Sequence, residues 1–409
     1  MLFDPERHEP LLEARWSEAA ARHTIGAIVA DACRSFDADT LWPTHPGDIE
    51  GDEPALPIAG LYHGAAGAIW ALQWLAAQGA ADRVDLDLDL TGAVAALAEH
   101  SRRFIDASGT ERASYLLGDA GVLLLQWKNH PSPDTADALF ALVRGNLHNK
   151  AREALWGSPG TLVAALHMIE ATQEARWVTL FREGVAILWQ QMHAARHTEH
   201  PDRAAWVWTQ DLYGKQLVYM GAGHGFAGNL FPVIRGARWL DDRVVVDFEA
   251  RAFETLDVAA LRDAGLINWE PVFDRHAAGL PSKPLVQDCH GAAGIVCRLA
   301  GARSAALRAL LPQAGELVWA AGPLRKPPGM CHGTDGNGYA FLKLHAITGD
   351  ARWLARARAF AMHAIRQSDA LAAQHGRRRF TLWTGDLGLA VYLWGCVSGD
   401  AALPTLDVF

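Results

Sequence analysis

The chain has 409 residues, half of them apolar, and a formal net charge of −9. That length sets a soft expectation of two or three domains at ~150 residues each, and the acidic balance excludes the general basic footprint of a nucleic-acid-binding protein. No uninterrupted apolar run reaches ~18 residues, which excludes a membrane-spanning helix, and the N-terminus MLFDPERHEP lacks the apolar core of a signal peptide, so the expected location is the cytoplasm. Five cysteines (Cys33, Cys289, Cys297, Cys331 and Cys396) are odd in number and widely spread. They suit a reducing compartment with some thiols buried and others binding metal.

Along the chain one unit recurs seven times: Gly-x-x-Gly followed by an apolar run. The first copy is HGAAGAIWAL (Gly64, Gly67), the second GDAGVLLL (Gly118, Gly121) and the third GSPGTLVAAL (Gly157, Gly160), which Glu153 precedes. The fourth is HGFAGNLF (Gly225, Gly228) with His224 before it, and the fifth HGAAGIVCRL (Gly291, Gly294). The sixth is HGTDGNGYAFLKL (Gly333, Gly336) and the seventh GDLGLAVYLW (Gly385, Gly388). Between copies lie stretches such as EARWVTLFREGVAILWQQMHAA and DARWLARARAFAMHAIRQ, with apolar residues at i, i+3, i+4 and i+7. These predict amphipathic helices, while the runs after the glycines, apolar nearly all round, predict buried ones. Strand-like alternation is scarce, VVVDF near 244 being the best case. The segments 196–220 and 265–288 read as loops or small excursions.

Each repeat is thus one amphipathic helix, a loop, and a more apolar helix. An open stack of such hairpins leaves two raw ends, and closure into a ring removes them. The expected fold is all-α, a double-layered α/α toroid of seven hairpins, in a single domain, 1–409. Most of the sixteen Trp then fill a broad helical core.

Two copies read Cys-His-Gly, at Cys289-His290-Gly291 and Cys331-His332-Gly333. Thiolate and imidazole are ligands zinc prefers. Two such loops meeting would hold one ion, either closed by both Cys and both His or left open at one position. His224, in GAGHGFAG, is a candidate acid/base and His63 a structural histidine. Glu153 either handles protons or caps a helix start. Asp119, Asp335 and Asp386 read as loop or cap residues.

These motifs, in this order, resemble the lanthionine synthetase C-like family over nearly the whole chain, from Gly60 to Trp394. The resemblance implies the toroid and one zinc held by Cys289, Cys331 and His332, with water or a substrate thiolate completing the shell. It further implies that His290 is a neighbour of the metal and that His224 transfers a proton. GDAG, EALWGSPG and CHGTDGNGYAFL resemble the glutathione-handling branch, where Glu153 replaces the Asp of ring-forming members and Lys326 binds substrate. Two positions depart from the ring-forming pattern: Leu285 stands in place of an Arg, and Asp288, a possible hydrogen-bonding neighbour of a ligand, in place of a Trp. The implied activity is zinc-dependent addition of a thiol, a peptide Cys or glutathione, to dehydroalanine or dehydrobutyrine. Its partners would be a dehydrated peptide or protein and a dehydratase, or a kinase and lyase, that makes it. The alternative is a non-catalytic zinc-containing binding or regulatory protein of the same family. A zinc prenyltransferase reading of Asp288-Cys289 is disfavoured by the duplicated Cys-His-Gly. A glycosidase reading of Glu153 and Asp211 has nothing that ties the two carboxylates together.

Overall fold

The computed structural model describes residues 1–37, 39–48, 58–81, 92–94, 96–97, 99–101 and 112–409. Thirteen helices are named here. They are α1 (Glu18–Arg34), α2 (Ala65–Ala77), α3 (Asp119–Asn129), α4 (Pro133–Gly145), α5 (Ser158–Thr172), α6 (Ala175–Gln191) and α7 (Phe226–Arg235). The rest are α8 (Asp242–Ala259), α9 (Ala292–Leu299), α10 (Ala305–Ala321), α11 (Thr334–Thr348), α12 (Ala351–His375) and α13 (Asp386–Ser398). No helix among the described residues is long and apolar enough to cross a membrane.

Every Gly-x-x-Gly copy opens a helix: α2, α3, α5, α7, α9, α11 and α13. The two kinds of helix expected from the hydropathy pattern are both present. In α5 every residue from Ser158 to Ile169 is buried, and in α13 every residue from Asp386 to Leu393. By contrast α6 buries one stripe, Trp177, Leu180, Phe181, Gly184, Val185, Ile187 and Leu188, as a 3.6-residue period requires. The expected strand near 244 is instead part of α8. Val245, Phe248, Glu249 and Ala252 are its buried face, and this i, i+3, i+4, i+7 spacing overrides the β preference of consecutive valines.

The described chain divides into two compact units. The first comprises Met1–Glu9, Leu142–Gly322 and Lys343–Asp350. In it α5 packs on α6 and α7, α7 on α9, and α9 on α10. Three antiparallel two-stranded ribbons lie in or next to the segments 196–220 and 265–288, as small excursions. They are β1 (His193–His197) with β2 (His200–Val207), β3 (Gln210–Leu212) with β4 (Lys215–Leu217), and β5 (Ala260–Asp263) with β6 (Leu266–Trp269). The second and third ribbons turn on Tyr213-Gly214 and Ala264-Gly265, all four at positive φ, the two-residue turn whose twist suits a hairpin. Buried tryptophans anchor the ribbons: Trp208 Nε1 donates to the Leu188 carbonyl at 2.8 Å and Trp269 Nε1 to that of Leu256 at 2.9 Å.

The second unit comprises Pro10–Ala141, Pro323–Leu342 and Ala351–Phe409. Here α13 packs on α1, α2 and α12, and α2 on α3. Its core holds Trp70, Tyr339, Phe341, Trp353 and Tyr392, all fully buried. Tyr392 donates its hydroxyl to the Ala357 carbonyl at 2.6 Å, so the one polar atom of that ring is satisfied.

Candidate functional site

The repeated loops share one backbone device. A Cβ on the second glycine of a copy would overlap the carbonyl six residues earlier: Leu61 for Gly67, Tyr115 for Gly121, Ala222 for Gly228, Asp288 for Gly294, Met330 for Gly336 and Leu382 for Gly388. In several copies the first helical N–H, which has no partner within the helix, donates to the carbonyl seven residues back, as Phe226 does to Tyr219 at 2.9 Å and Asp386 to Arg379 at 2.8 Å. The chain therefore folds tightly back before each helix. In the fifth and sixth copies the carbonyl pressed against glycine belongs to the residue just before Cys289 or Cys331. The same packing thus presents both Cys-His pairs.

In the first unit Cys289 is buried and His290 half-buried. Gly291 has φ of 103°, so Ala292 N–H turns to the side chain of Asn268 on β6 at 2.9 Å; that amide also donates to the Leu285 carbonyl at 3.1 Å, pinning both ends of the loop. Asp288 makes a bidentate ion pair with Arg298 on α9, at 3.0 and 2.7 Å, with both side chains buried. Gln287 Nε2 donates to Cys289 Sγ at 2.9 Å. The glycines of GAGHG explain how the His224 loop comes alongside. A Cβ on Gly221 would overlap the Cys289 carbonyl, one on Gly223 would sit 3.1 Å from Cys289 Cβ, and Gly223 N–H donates to that carbonyl at 3.2 Å.

The structure brings His224 and Glu153 together. His224 Nδ1 lies 2.9 Å from Glu153 Oε2. Glu153 is fully buried, and its carboxylate also accepts the backbone N–H of Leu155 at 3.0 Å and that of Trp156. Glu153 thus closes the turn before α5 and holds the imidazole of His224. Arg152, just before it, has φ of 46°, a left-handed conformation costly for a residue with a Cβ. Its carbonyl is held there by Gln210 at 3.1 Å and Asn229 at 2.9 Å. Glu153 engages the imidazole through Nδ1, and Nε2 is the ring nitrogen outside that contact. The His290 ring centroid lies 6.0 Å from that of His224, and the Tyr213 ring stands edge-on at 5.9 Å.

In the second unit Cys331 is buried, His332 exposed, and Lys326, five residues before Cys331, exposed. Cys331 N–H donates to the Trp383 carbonyl at 3.0 Å, and Asp335 accepts the N–H of Gly329. Cys331 Sγ and His332 Nε2 are 3.6 Å apart. An ion at ~2.3 Å from sulfur and ~2.0 Å from nitrogen, with a tetrahedral angle between them, requires about 3.5 Å, close to that separation. By donor chemistry and spacing these two side chains fit zinc. Asp119 and Asp386, the first residues of α3 and α13, are built alike: each accepts from a serine eighteen residues earlier (Ser101, Ser368), and Asp386 also takes the Arg379 N–H at 2.8 Å while Asp119 takes Arg112 Nε at 2.7 Å. His63, whose conjugate acid burial pushes down to about 4, is a neutral histidine.

Residues 59–408 match the family model described as "Lanthionine synthetase C-like protein". The chain belongs to that family. It is 28% identical over 306 residues to "Glutathione S-transferase LANCL1" of Danio rerio, covering 68% of this chain and 70% of the relative. It is 31% identical over 186 residues to "LanC-like protein GCL1" of Arabidopsis thaliana, covering 43% of this chain and 40% of that one. Among solved structures "Nisin cyclase" superimposes with a TM-score of 0.61 at 13% identity, covering 95% of this chain and 96% of the other. That likeness shows the all-α, α/α-toroid fold expected from the repeats. Several LanC-like site neighbours were missed from sequence: Gln210 and Asn229 behind Glu153, and Asn268, Gln287 and Arg298 around Cys289. Asn229, Asn268 and Arg298 are lone polar residues in apolar stretches, whereas Gln210 and Gln287 sit among other polar residues and carry no such signal.

Proposed function

We propose that this LanC-like protein adds a thiol across the double bond of dehydroalanine or dehydrobutyrine in a peptide or protein, forming a thioether. The observation that carries the reading is the His224–Glu153 pair set beside the Cys289 loop, together with a second Cys-His loop whose sulfur and imidazole are spaced for zinc. Cys289, Cys331 and His332 would hold one zinc, whose chemistry is to keep a substrate thiol deprotonated near neutral pH.

The residues of the chain do the rest. Sulfur bonds to the β-carbon, the π electrons move toward the carbonyl, and His224 Nε2 delivers the proton that the α-carbon takes up. Glu153, buried and hydrogen-bonded through Nδ1–H, holds the ring in the tautomer and orientation for that transfer and balances the charge of the protonated imidazole. Lys326, exposed beside the Cys331 loop, would meet a substrate carboxylate. The name of the Danio rerio relative supports glutathione as one thiol, and the family supports a peptide Cys as the other. The dehydroamino acid would come from a partner dehydratase, or a kinase and lyase. We take 1–409 as one domain, which a single calorimetric transition would support.

The experiment is thioether formation between glutathione and a dehydroalanine peptide, followed by mass. His224→Gln should lower the rate about 10²- to 10⁴-fold and Glu153→Gln by a smaller factor, with zinc content unchanged. Wild-type rates in both variants would refute the proton-transfer assignment. No product with either thiol, from a zinc-loaded wild-type protein, would refute the activity.

A further inference from the structure

We infer that Gln287 sets the donor strength of the Cys289 sulfur, acting as a positioning and tuning residue for the metal. The inference rests on Cys289 being a ligand, as proposed above. Gln287 is buried, 4% exposed, two residues before the cysteine. Its own N–H donates to the His290 carbonyl at 3.1 Å, closing the turn so that the amide and the sulfur face each other. Its Nε2 donates to Cys289 Sγ at 2.9 Å, and its Oε1 is buried with no hydrogen-bond partner among the described residues.

That asymmetry is informative. A buried amide has two donors and an acceptor to satisfy, and this one satisfies the donor end on sulfur while its oxygen goes unpaired. The end turned to the sulfur is therefore the N–H, the end able to donate to a thiolate ligand of a metal. The backbone between the two side chains is fixed by the buried Asp288–Arg298 pair and by the Asp288 carbonyl packed on Gly294, so the contact is not free to drift. A hydrogen bond to a thiolate ligand withdraws charge from it. The sulfur becomes a weaker donor, and the cation it shares becomes a stronger acid toward the next thiol to bind.

The test uses the full chain loaded with cobalt(II) in place of zinc, as wild type, Gln287→Met and Gln287→Glu. Met keeps the length of the side chain and removes the donor; Glu supplies only acceptors. The sulfur-to-cobalt charge-transfer band should move to longer wavelength in Gln287→Met and further in Gln287→Glu, with one cobalt still bound per chain. Competition with a chelator should show metal affinity altered about tenfold or more in both. The thermal midpoint of metal-free Gln287→Met should match wild type, which separates tuning from a structural role. An unchanged band in cobalt-loaded variants would overturn this inference and leave the ligand reading standing. A wild-type chain that takes up no cobalt would overturn both.

Discussion

Replacing Asp335 by Asn should remove a defined part of the pH dependence of folding. Asp335 is fully buried at the start of α11; one carboxyl oxygen accepts the Gly329 N–H and the other has no hydrogen-bond partner among the described residues. Burial is the largest influence and pushes the carboxyl up from 3.8 to about 7; the backbone N–H groups of Gly329, Asp335 and Gly336 oppose it, and the nearby charge of Asp386 adds to it. The folded value lies above the unfolded one, so the native state keeps a proton that the unfolded chain releases. The associated stability is full below about pH 4, falls as pH rises toward 7, and is level beyond. Between pH 5 and pH 8 the loss is on the order of 2–3 kcal/mol. Asn keeps an acceptor for Gly329 but has no proton to lose. Its buried NH₂ costs about 1–3 kcal/mol, and that cost does not depend on pH. Urea unfolding of metal-free wild type and Asp335→Asn at pH 5 and pH 8 isolates the term, since every other titrating group is common to both. The stability difference between the two proteins should swing toward Asn by roughly 2–3 kcal/mol across that interval. A difference that stays constant with pH would refute the assignment of a buried, proton-holding Asp335.

Arg298→Met should destabilise the protein by about 3–5 kcal/mol, because Asp288 is then a buried charge without its bidentate partner. The double variant Asp288→Leu/Arg298→Met should recover much of the loss, as denaturant midpoints would show. Gly294→Ala should cost zinc affinity before it costs helicity, since its Cβ would overlap the Asp288 carbonyl and push the Cys289 loop outward. Metal content alongside circular dichroism measures both.

Much of the architecture was legible because it rests on repetition. Seven glycine pairs marked seven helix starts, and in six of them the structure supplies the reason: the second glycine is where a carbonyl six residues earlier must fit. The two grades of helix followed from hydropathy period alone. The ribbons were not legible. Tyr213-Gly214 and Ala264-Gly265 are hairpin turns without the Asn-Gly or Asp-Gly signature, and the strands beside them are three or four residues long, too short for alternation to stand out. VVVDF misled for the converse reason, since β-branched residues sit in a helix when tertiary burial of one face demands it. At the site, types of residue were readable and their partners were not. Cys, His and Glu153 announce themselves by chemistry and motif. Gln287 and Asn268 act through contacts made 2 and 24 residues away, to Cys289 and Ala292, which a linear reading cannot pair.

The measurement that bears most directly on the account is the zinc content of purified wild type and of Cys289→Ala, Cys331→Ala and His332→Ala, by mass spectrometry of the metal. One zinc per chain in wild type, with strong loss in each of the three variants while helicity persists, is the expected result. Zinc retained at full occupancy in Cys289→Ala, or absent from wild type, would contradict it.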